Sequence, residues 1–97
     1  MKLLQQTVGT AVRTARDEAK RILTKLESRN HPQTNQSSAL YVALAGIQTR
    51  LLAVDPAPSM AQVILDLEQV LRQCDGRLAS VQPLIAGALR LAQGGRA

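Results

Sequence analysis

From Leu4 to Leu26, from Leu40 to Val54 and from Met60 to Ala92, aliphatic residues recur at steps of three and four. That spacing puts side chains on one face of a helix and suits no strand. The chain has no Phe, no Trp and one Tyr, so its core has to come from Leu, Ile, Val and Ala. Fifteen Leu and fourteen Ala against seven Val and four Ile favour helix packed on helix, because strands draw on β-branched and aromatic side chains. The expected class is all-α, and residues 1–97 are long enough for one domain with one core.

Three helical stretches are expected. The first, 2–29, places Leu4, Val8, Ala11, Ala15, Ala19, Ile22 and Leu26 on one face, and Pro32 stops it. Thr34 to Ser38 reads as a polar loop. The second, about 38–54, carries Leu40, Leu44, Ile47, Leu51 and Val54 as one stripe, with Tyr41, Ala45, Gln48 and Leu52 as another beside it. Asp55-Pro56-Ala57-Pro58 ends it. Ser59 followed by Gln62 reads as a capping box that starts the third helix near Met60, with Gln62, Asp66, Gln69 and Gln73 on its solvent side. Gly76 looks like a helix end, yet Leu78, Val81, Ile85, Ala88 and Ala92 continue the phase of Val63 to Cys74. The expectation is therefore an antiparallel bundle of three helices, the third running over 60–93 with a kink near Pro83. The alternative is four, the last starting near Ser80 with Pro83 in its first turn.

Little here points to catalysis. His31 lies beside Pro32 in a loop, and Cys74 lies on an apolar stripe where burial suppresses thiolate. There is no metal-ligand spacing, phosphate-cradling glycine pattern or other cofactor motif. No enzyme activity, metal, cofactor or small-molecule substrate is expected. The amino terminus turns polar after Leu3-Leu4, and the longest apolar run, Ala39 to Gly46, is too short to span a bilayer. With a single Cys, these features suggest a cytoplasmic protein.

The net charge of +5 arises in the first half, where residues 1–50 hold eight Lys or Arg against three acids. Arg13, Arg16 and Lys20 form one rank on the first helix, and Arg21, Lys25 and Arg29 another, on either side of its apolar face. Such ranks suit boundary cations whose alkyl stems cover apolar surface. They also define an alternative, a basic helical protein binding nucleic acid through Arg13, Arg16 and Lys20. The favoured reading is a non-enzymatic protein–protein interaction module, an adaptor, small chaperone or assembly subunit. Its contact stripe would be Tyr41, Ala45, Gln48 and Leu52, covering a helix of a partner or of a second copy.

Overall fold

In the computed structural model, residues 2–53 and 59–94 are described, except for the side chains of residues 2 and 3. Four α-helices and one 3-10 helix follow in order: α1 Lys2–Ser28, α2 Thr34–Leu52, α3 Met60–Leu71, the 3-10 helix Gly76–Val81, and α4 Gln82–Gly94. The expected break at Asp55 to Pro58, the end of the second stripe at Val54 and the tail from Gly95 lie outside the described residues.

The end of α1 is set by more than Pro32. Asn30 takes a left-handed φ of 50°, and the His31 N–H donates to the Leu26 carbonyl at 3.0 Å. Those are the marks of a Schellman-type cap, with Asn in the position glycine usually takes. The next helix begins at Thr34, so the expected polar loop over Thr34 to Ser38 is instead the first turn of α2. Weak local propensity is overridden there by tertiary contact. The Gln36 amide donates to the Gln73 carbonyl at 2.8 Å and to Asp75 at 2.6 Å, and Ser37 is fully buried.

α3 starts where expected, with the Ser59 hydroxyl accepting from the Gln62 N–H. Only half of the capping box forms, because the Gln62 side chain turns to Asp66 instead of back to Ser59. The single long third helix is not observed. α3 stops at Leu71, and Gly76 takes a φ of +54°, which a residue with a side chain adopts only under strain. A Cβ at Gly76 would also lie 2.7 Å from the Gln33 side chain, itself bonded to the Arg77 N–H and to Asp75. The chain re-enters through the 3-10 helix directly into α4, with Pro83 in the first turn, as in the four-helix alternative.

The Gln5 side chain donates to the Leu51 and Ala53 carbonyls, Arg50 pairs with Asp66, and Gln36 reaches Gln73. These contacts run α2 antiparallel to both α1 and α3. Arg77 lies beside Arg29 and His31 while Ser80 reaches Glu18, so the last part of the chain returns along α1 toward its start. The result is an up-down-up-down four-helix bundle. Its continuous aliphatic core includes Val8, Val12, Leu40, Leu44, Leu67 and Ile85. At about 25 cal/mol per Å² of apolar area removed from water, burying each of the larger side chains contributes roughly 1.5–3 kcal/mol.

Candidate interaction surface

The two ranks of cations lie on opposite sides of the α1 apolar face, and each meets a different neighbour. On the α2 side, Arg16 donates to Gln48 Oε1 and forms an ion pair with Asp17, and the Lys20 ammonium sits 5.2 Å from the centre of the Tyr41 ring. On the other side, Arg21 bonds Glu18 in a two-point fork at 2.8 and 2.6 Å, and Glu18 in turn accepts from Ser80 at 2.9 Å. The Arg21 hydrogen bond holds the Glu18 carboxyl below its ordinary range against some opposing desolvation, with Ser80 helping.

The Tyr41, Ala45, Gln48 and Leu52 stripe is therefore split. Gln48 is buried and Tyr41 half-buried, both drawn against α1 by Arg16 and Lys20. The expectation of a surface Gln48 is corrected: an amide can be buried next to a guanidinium because its oxygen finds a donor. Ala45 is half-buried and Leu52 stands 71% exposed. Leu52 and Arg13 share a surface depression with Gln5 and Thr10. Arg13 is exposed and makes no side-chain hydrogen bond or ion pair among the described residues.

The face of α2 that points away from the bundle is one that the sequence did not single out. Ala39, Val42 and Gly46 are exposed there, Val42 by 63%. From Thr34 to Thr49 the helix carries no charged residue, although charged residues make up 20% of the chain. Gly46 has no internal reason to be glycine, since a Cβ there would meet nothing within 4 Å. A mid-helix glycine costs about 1 kcal/mol relative to alanine, so its cost is not offset by packing inside this chain. The signal in the sequence was the absence of charge, which periodicity of apolar residues does not register.

The expected solvent side of α3 is also half-occupied. Asp66 pairs with Arg50, and Asp66, Gln69 and Gln73 line a cleft of about 350 Å³ against Ala43 and Ile47 of α2. Leu65, 58% exposed, lies on the outer surface of α3.

The groups considered for chemistry are engaged or suppressed. His31 Nδ1 accepts from the Gln33 N–H at 3.1 Å. Burial, with the nearby Asp75 charge, pushes the Cys74 thiol up to about 11. Among the described residues no three His, Cys, Asp or Glu side chains gather as a metal set, and no helix is long and apolar enough to cross a membrane. No protein-family model, curated protein or solved structure matches this chain.

Proposed function

We propose that the protein is a non-enzymatic interaction module that presents the outer face of α2 to an amphipathic helix of another protein. The observation that carries this reading is the uncharged, solvent-facing surface of Ala39, Val42 and Gly46, with a glycine that nothing inside the chain requires. Small residues let a second helix approach closely, and exposed Val42 and Leu52 supply apolar contact at the centre and edge of the surface. The charge beside it selects the partner. Arg13 lies next to Leu52, and the net charge is +5, so a second copy is repelled while a helix with an acidic edge is attracted. An adaptor, small chaperone or assembly subunit would all use such a surface.

The test is capture from the native host with immobilised wild-type protein, followed by titration of the recovered partner against Val42→Glu and Leu52→Glu variants. The expected result is binding lost at least about tenfold in each, with helix content unchanged and with affinity falling as salt rises. A recovered partner that binds both variants as tightly as wild type would overturn the reading. Nucleic-acid binding through Arg13, Arg16 and Lys20 ranks behind it, because Arg16 and Lys20 already make contacts with Gln48 and Tyr41. The ratio of absorbance at 260 and 280 nm of purified protein tests that alternative.

A further inference from the structure

The second rank of cations faces a different element and forms a different kind of surface. Arg21 and Lys25 of α1 and Arg29 just past its end, at steps of four, line a cleft of about 260 Å³ together with Arg77 of the 3-10 helix. Its apolar part is the buried pair Ile22 and Leu26, and His31 and Ser80 also line it. The His31 ring accepts at Nδ1, so in its neutral form Nε2 carries the proton and remains a donor.

Four cations line this cleft and no carboxylate does among the described residues; the carboxylate bonded to its edge, Glu18, is committed to Arg21 and Ser80. The side chains of Arg29 and Arg77 make no hydrogen bond or ion pair among the described residues. Like charges four apart on a helix repel. The negative end of α1 compensates Lys25 and Arg29, which lie in and just beyond its last turn. It gives no reason for Arg77 to be brought against them from a distant part of the sequence. The walls are also held in place, because the Glu18 to Ser80 hydrogen bond ties α1 to the 3-10 helix and the Arg77 N–H is anchored on Gln33.

We propose that this cleft binds a small organic phosphate, with the phosphate at Arg29 and Arg77 and the apolar part of the ligand over Ile22 and Leu26. Guanidinium groups match phosphate oxygens in two-point geometry, and a concave apolar floor with a few polar groups at its rim is the general form of a ligand site. At about 260 Å³ the cleft lies just below the roughly 300–1,000 Å³ range of ligand pockets, which suits a phosphate carrying a small organic part. A nucleic-acid strand would be met more naturally by cations on a convex outer face than by cations lining a cleft between two elements. The site lies on the side of α1 away from α2, so it is independent of the interaction surface proposed above.

The experiment is a titration of nitrogen-15-labelled full chain at physiological salt with inorganic pyrophosphate and, separately, with adenosine monophosphate. A single-stranded oligonucleotide forms a third arm. Amide shifts should saturate and concentrate at Leu26, Arg29, His31 and Arg77, with the mononucleotide also moving Ile22. The dissociation constant should lie below about 1 mM. Arg29→Gln combined with Arg77→Gln, or Arg77→Ala alone if the pair fails to fold, should weaken binding at least about tenfold, while Lys20→Gln leaves it unchanged. Shifts that stay linear to about 10 mM, or spread equally to Arg13 and Lys20, would overturn the proposal. So would saturable binding of the oligonucleotide alone.

Discussion

The Lys20 ammonium lies 5.2 Å from the centre of the Tyr41 ring, so the chain's single aromatic residue is covered by a cation from the neighbouring helix. The contact joins the middle of α1 to α2 across the edge of the core, and the Arg16 to Gln48 bond does the same about one turn away on α1 and two on α2. Together they explain why an apolar-looking stripe on α2 is half withdrawn from the surface.

Lys20→Gln should lower stability by no more than about 1 kcal/mol, the range of a partly exposed cation–π contact. With no Trp in the chain, Tyr41 is its main intrinsic fluorophore. A change in Tyr41 emission without loss of helical circular dichroism is the expected signature, and unchanged emission would show that the ring is not covered in solution.

Two glycine substitutions should move stability in opposite directions. Gly46→Ala adds a helix former where nothing obstructs the new Cβ, and should stabilise the isolated protein by about 0.5–1 kcal/mol while weakening partner binding. Gly76→Ala forces a side chain into a left-handed backbone and against Gln33, and should cost about 1–2 kcal/mol. Chemical denaturation of the two variants side by side reads both signs.

Ser37 is fully buried and its hydroxyl has no hydrogen-bond partner among the described residues. Ser37→Ala removes that desolvated group with little change of shape, and should stabilise the fold by about 1 kcal/mol. A loss of stability in the same denaturation assay would mean that the hydroxyl does find a partner in solution.

The Cys74 thiol, pushed up to about 11 from 9.0 chiefly by burial, should alkylate slowly. At pH 8 its thiolate fraction is about one hundredth of that in the unfolded chain, so iodoacetamide should react about 100-fold more slowly with folded than with denatured protein. The sign for stability follows from the raised value. Both states are neutral below pH 9, and the unfolded thiol ionises first as pH rises, so the contribution present below pH 9 is lost on the way to about 11. Comparison of wild type with Cys74→Ala over that range isolates it.

The helical class and the core faces of all four helices were legible in the sequence, because aliphatic periodicity reports which residues share a side. Direction was not legible. Cys74 and Leu78 stand four apart, as they would within one helix, yet the chain turns between them at Arg72 to Asp75 and at the left-handed Gly76. Phase survives such a turn whenever the connector happens to have helical length, so Leu78 to Ala92 kept register while reversing course. The start of α2 was missed for the opposite reason. Thr34 to Ser38 have little helical preference of their own, and the contacts that hold them, Gln36 to Gln73 and Asp75, come from the connection that follows α3. On the candidate surface, Leu52 was placed correctly at the exterior, whereas Gln48 needed Arg16 beside it to be seen as buried.

Because α1 lies between α2 and the returning α4, it is partnered on one flank by a helix made well after it in synthesis. A growing chain can pair α1 with α2 early, through a short connection. The flank that carries Ala11, Glu18 and Arg21 stays open until Leu78 to Ala92 have been made. Until then this half-covered hairpin exposes aliphatic surface, which makes the interval between synthesis of α2 and of α4 the period in which the fold most needs protection from aggregation.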